Sequence, residues 1–371
     1  MLKPVFHAWE RRLASVSTDR VVRPFEWGLD WIPHNGRPHT GREAEIVGEW
    51  VAGVMGDTDT FFAPPPTDEY RLGGPDDGGR LLTFPSAFAT PHPENNIVHA
   101  RYFPAAHQPP VKLRRSAEAA KAAAKPARAG RRAAVLVLPQ WNSDANGHVG
   151  LCKILAWSGL SALRLALPYH DQRMPPELRR ADYIVSANVV RTVQVCRQAV
   201  LDARRAVQWL ARQGYQRIGI LGTSLGSCLA LLTTAHEPLI RAEALNHISP
   251  YFADVVWRGL STQHVHQGFD GRIELDLLRT LWKPISPRWY LERVRDRRTL
   301  LVYARYDLTF PVDLSEDLVR EFRDLGLPHE VVVLPCGHYS SGKAPFKFLD
   351  AWVLTRFLRR ALLDSPDTPR P

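Results

Sequence analysis

A chain of 371 residues, 45% hydrophobic and 23% charged, is long enough to bury one large core and too polar for a membrane-spanning bundle. Its net charge of +10 is concentrated: residues 111–132 hold eight basic side chains against the single acid Glu118, so +7 lies there and +3 in all the rest. A charge run confined to one low-complexity segment, with no recognised binding motif, argues against a specific nucleic-acid partner. With no 18-residue apolar run for a transmembrane segment and no secretory h-region, a cytoplasmic protein is expected.

Residues 1–66 read as an N-terminal extension whose opening segment is a helix docked on the main body. Thr40-Gly41-Arg42-Glu43 has the spacing of a capping box, and the helix after it would align Ile46, Val47, Trp50, Val51 and Val54 on one face. The main domain is expected over 67–371. Apolar runs at 80–84 and 97–103, with glycine turns before them, predict antiparallel edge strands. The Ala/Lys/Arg-rich stretch at 107–132, broken by Pro126 and Gly130, predicts a mobile insertion.

After Arg132 short apolar runs alternate with helical periods. Strands are expected at 135–138, 162–167, 217–221, 242–248, 299–303 and 330–334, and helices at 193–210, 225–235, 313–325 and 344–363. In the first of these helices Val193, Cys196, Val200, Ala203, Val207 and Leu210 form the apolar face, with Gln194, Arg197, Arg204, Arg205 and Gln208 opposite. This is the pattern of an α/β fold, a doubly wound, mostly parallel sheet that binds ligands at the carboxyl ends of its strands.

Ser224 stands three residues beyond Leu221 and just before a helical run, within Gly222-Thr223-Ser224-Leu225-Gly226. Such a strand, sharp turn and helix exposes a serine hydroxyl, and small residues two positions on either side let the two elements close on each other. A serine needs a base to take its proton and a carboxylate to orient that base. Asp307 and His338 both follow expected strands, giving the order Ser, Asp, His; Asp313 is the alternative acid. Cys152, Cys196, Cys228 and Cys336 form no CxxC pair and read as buried thiols in a reducing compartment, Cys228 in the core. His264-Val265-His266 reads as a solvated pair.

From Ala133 to Leu363 this arrangement resembles the α/β-hydrolase superfamily, in Gly222 to Gly226, in Asp307 with Pro311, and in Gly337-His338. A narrower likeness, to the eighteenth group of α/β-hydrolase-domain proteins or to dienelactone-hydrolase-like enzymes, rests on general layout. Ala304 replaces the family's glycine three before the acid, and the loop Pro139-Gln140-Trp141 lacks its oxyanion-loop glycine. The resemblance implies a nucleophile Ser224 with His338 and Asp307, and an oxyanion hole from the amide of Leu225 with Trp141 or Gln140. It also implies a lid at 249–298, no metal or organic cofactor, and a small-molecule carboxylic ester as substrate. A serine peptidase, or a catalytically silent scaffold acting as an interaction module, are the alternative readings.

Overall fold

The computed structural model describes residues 2–33, 41–76, 79–105 and 132–364. The expected insertion at 107–132, Arg132 excepted, and Thr40 of the expected capping box lie outside them. Nine strands form one sheet in the order β1-β2-β3-β5-β4-β6-β7-β8-β9. β1 (Arg71–Asp76), β2 (Gly79–Pro85) and β3 (Ile97–Phe103) run antiparallel, and β3 joins β5 in the same sense. β4 (Ala133–Leu138), β5 (Ser161–Leu165), β6 (Arg217–Thr223), β7 (Ile240–Asn246), β8 (Arg298–Ala304) and β9 (His329–Leu334) are mutually parallel. β4 is flanked by β5 on one side and β6 on the other, so the winding reverses at its carboxyl end, where a crevice opens.

All six residues of β4 are buried. Leu136 and Leu138 join one apolar cluster while Val135 and Val137 join the other, because successive side chains leave opposite faces and both faces are covered. The helices are α1 (Lys3–Ala14), α2 (Glu43–Gly56), α3 (Thr58–Phe61), α4 (Val149–Trp157), α5 (Val189–Arg212), α6 (Leu225–His236), α7 (Phe252–Arg258), α8 (Gln263–Phe269), α9 (Leu275–Leu281), α10 (Val312–Asp324) and α11 (Phe346–Arg359). Residues of α5 and α6 belong to the cluster with Leu136, and residues of α4 and α11 to the cluster with Val135. Among the described residues no helix is long and apolar enough to cross a membrane.

The sequence pattern misses β1, whose Gly73-Gly74-Pro75 disfavours a strand; it pairs with β2 across an irregularity between Leu72 and Pro75. β1 therefore takes the sheet edge, and β2 and β3 lie inside. Helix α2 forms as expected, with Arg42 at its N-cap and Glu43 accepting from the amide of Gly41. Val47, Val51 and Val54 enter the main cluster and Ile46 and Trp50 are half-buried, so the amino-terminal segment shares the core of the domain.

The polar side of α5, opposite its apolar face, is packed against the chain rather than left to solvent. Gln194 and Arg205 are buried, Arg197 donates to the carbonyl of Phe61 at 2.6 Å, and Arg205 reaches those of Pro65 and Pro85 at 2.8 Å. Residues 62–70 lie outside any helix or strand, and guanidinium groups with five donors each reach the carbonyls of Phe62 and Pro65. Beside them Arg173 and Asp202, neither exposed, pair at 2.8 Å, and Asp202 also takes the hydroxyl of Ser86 at 2.8 Å.

Candidate active site

Ser224 occupies φ 56°, ψ −121°, between the end of β6 and the start of α6. An L-residue there is strained, at about 1–3 kcal/mol, and persists only where the surroundings hold it. Here its amide donates to the carbonyl of Asn246 at 2.8 Å, and the Ser227 hydroxyl lies 2.6 Å from its carbonyl. The two glycines are required by close approach. A Cβ on Gly222 would stand 2.1 Å from the Gly226 carbonyl oxygen, and one on Gly226 would stand 2.3 Å from that of Leu138.

Asp307 follows β8 and is 4% exposed. Its Oδ1 accepts the amides of Thr309 and Phe310 at 2.8 and 2.7 Å, which aims Oδ2 at the Nδ1 atoms of His338, 2.9 Å away, and His247, 3.0 Å away. Burial alone would raise the pKa of this carboxyl. The charge on His338 and the hydrogen bonds from both rings outweigh it and hold Asp307 well below the usual carboxylate range. Asp313 lies elsewhere, in the first turn of α10, exposed and paired with Arg258 at 2.8 Å. With Nδ1–H of His338 given to Asp307, Nε2 is the free nitrogen of the neutral ring.

Two cavities meet at Ser224. A small one of about 40 Å³ is walled by apolar side chains, among them Val185, Leu225, Phe252, Val255 and Phe310. A wide one of about 690 Å³ carries Gln140, His148, Asn246, His247, His338 and Asp350. Ser224, Trp141 and Ser261 border both. The segment 249–298 supplies Phe252, Val255, Val256, Ser261 and Thr262 to the small cavity, while Phe269, Trp282 and Tyr290 pack into the main core. Among the described residues no acceptor takes the amide of Leu225 or of Trp141. Trp141 is held by its indole N–H on the Ala181 carbonyl, 2.9 Å, and by stacking on His264 at 5.7 Å.

His264 is thus not part of a solvated pair: it is 6% exposed, and burial lowers its pKa to about 4. All four cysteines are free and buried, and burial pushes the Cys228 thiol up to about 12.

Two residues at the site escape sequence reasoning. His247 falls inside the run expected as strand 242–248, but β7 ends at Asn246 and His247 turns out at φ 56°. Burial opposes its protonation, yet the hydrogen bond and charge of Asp307 raise its pKa overall. Glu10 of α1 is fully buried against the loop after His338 and accepts the amides of Tyr339 and Ser340 at 2.8 and 2.9 Å. A Cβ on Gly337 would stand 2.3 Å from the Glu10 carboxyl carbon, so the glycine of Gly337-His338 makes room for this acid. Phe6 stacks on Tyr306, beside Asp307, at 4.5 Å. The ligand atoms of His247, Asp307 and His338 lie within 4.8 Å of one another. Their 2.9 and 3.0 Å spacings are those of N–H···O bonds.

No protein-family model matches the sequence, and no curated protein matches it. Solved structures do. Over 82% of its length the chain superposes on Pyrococcus horikoshii acylaminoacyl peptidase with a TM-score of 0.58 at 14% identity, and it spans 44% of that protein. The acetyl xylan esterase of Paenibacillus sp. R4 gives 0.56 at 14% identity, covering 90% of this chain and 98% of the esterase. Acetyl xylan esterase 1 from Thermoanaerobacterium sp. JW/SL YS485 gives 0.53 at 14%, covering 94% and 98%. The fold is the α/β-hydrolase fold. The chain is similar to the peptidase over part of that protein's length and to the two esterases over nearly all of theirs.

Proposed function

We propose that this chain is a serine hydrolase of carboxylic esters. The observation that carries the reading is the 2.9 Å bond from His338 Nδ1 to a buried Asp307, with His338 and Ser224 on the wall of one cavity. Nε2 of His338 takes the Ser224 proton as Oγ attacks the ester carbon. The amides of Leu225 and Trp141, or of Gln140, hold the oxyanion at a helix amino terminus that favours negative charge. His338 then passes the proton to the leaving alkoxide, takes another from the water that attacks the acyl-enzyme, and returns it to Ser224 Oγ as the acid leaves. Asp307 keeps the ring in its tautomer and stabilises the imidazolium.

The size of the small cavity selects a short acyl group, because its apolar wall closes around about 40 Å³. Coverage of nearly the whole of two esterases, against less than half of the peptidase, favours ester over amide cleavage. A fluorophosphonate probe labels the wild type at Ser224 and leaves Ser224→Ala unlabelled. A folded wild type that resists the probe sinks the proposal. Turnover falling from p-nitrophenyl acetate to the octanoate checks the acyl size.

A further inference from the structure

The wide cavity has a floor that acyl transfer at Ser224 does not use. Asn246 and His247 are each 1% exposed, and both line this cavity with Asp350 of α11. Nδ2 of Asn246 donates to Asp350 Oδ2 at 2.9 Å, and Nδ1 of His247 is committed to Asp307. Asn246 Oδ1, Asp350 Oδ1 and His247 Nε2 are left buried, with no hydrogen-bond partner among the described residues. Two buried oxygens without a donor, one of a carboxylate and one of an amide, on residues that line one cavity call for a donor, and the carboxylate calls for a cationic one.

The arginines on this wall are engaged elsewhere, and the charge of His247, when that ring is protonated, acts on both Asp307 and Asp350. Arg20 donates to the carbonyl of Ala14 and lies 3.2 Å from the Tyr339 hydroxyl, Arg180 pairs with Asp19 at 2.9 Å, and the Lys347 ammonium lies 5.0 Å from the ring of Phe348.

We propose that Asn246, His247 and Asp350 form a subsite for a primary ammonium group carried by the alcohol half of the substrate. Its N–H groups bond Asp350 Oδ1 and Asn246 Oδ1, and Nε2 of His247 accepts the third when that ring is neutral. This rests on the ester reading: the small cavity takes the acyl group, so the alcohol lies toward His338 in the wide one. The substrate class is then a short-chain ester of an amino alcohol.

Two measurements on the full chain test this. In calorimetric titration of Ser224→Ala, n-hexylammonium chloride binds at least about tenfold more tightly than 1-hexanol, and Asp350→Asn removes that preference. Wild type hydrolyses 6-aminohexyl acetate with a kcat/KM at least about tenfold above that of hexyl acetate, a ratio that Asp350→Asn brings to about one. Equal binding of amine and alcohol, or equal turnover of the two esters, overturns the subsite, and both comparisons stand without the variant should it misfold. Because titration needs no chemistry, a protein that hydrolyses neither ester but prefers the ammonium loses the ester reading alone.

Discussion

The parallel half of the sheet and the amino-terminal segment reach the same site by opposite means. Ser224, Asp307 and His338 each stand within four residues of a strand's end, so a local window of sequence places them at one edge of the sheet. Glu10 belongs to a short helix with no local mark of function and meets its partners across 329 and 330 residues of chain. The difference teaches that strand exits gather the groups of the proposed triad, while a distant layer holds the loop that carries one of them.

The first region is broken most severely at its acid. Asp307→Asn lowers kcat for p-nitrophenyl acetate by about 10³–10⁴-fold, because the amide cannot keep the ring in the required tautomer. A folded variant with near wild-type kcat removes Asp307 from the triad. The second region should act next most strongly. Glu10→Ala lowers kcat by on the order of 10–100-fold with KM little changed and a displaced pH–rate profile, since the loop after His338 loses two charge-assisted bonds. Glu10→Gln, which keeps one acceptor, recovers part of that loss. Lower thermal stability with an unmoved profile would reduce α1 to a strut.

Stability separates the two regions further. Asp202→Ala leaves Arg173 charged and unpaired in the core and costs about 3–5 kcal/mol in urea denaturation, while the folded fraction still labels at Ser224. Loss of labelling in proportion to folded protein would tie this pair to the site itself.

The smallest effect is one of pH. His247 has a raised pKa in the fold, so its contribution is complete below about pH 6.5 and is lost as pH rises through the folded value. Asp307 has a lowered one, so its contribution is complete above about pH 4 and is lost in acid. The stability gap between wild type and His247→Gln is therefore widest near pH 5–6 and narrows toward pH 8. A gap that widens with pH overturns the account of His247 as a partner of Asp307.

By itself the sequence determined the alternation of strand and helix, the apolar runs that a sheet covered on both faces demands, and the turn at Ser224. All of these follow from chemistry within a dozen residues: side-chain period, the glycines that let β6 and α6 close, and polar residues just past apolar runs. Only the tertiary structure decided which acid faces His338, since Asp307 and Asp313 are separated by the turn into α10. It also decided that the arginines of α5 meet backbone carbonyls and that His247 leaves the strand. Glu10 was placed in the same way, under Tyr339 and Ser340. Those outcomes depend on burial and on partners far along the chain, and no local period encodes which carbonyl or amide a charged side chain will find once the layers close.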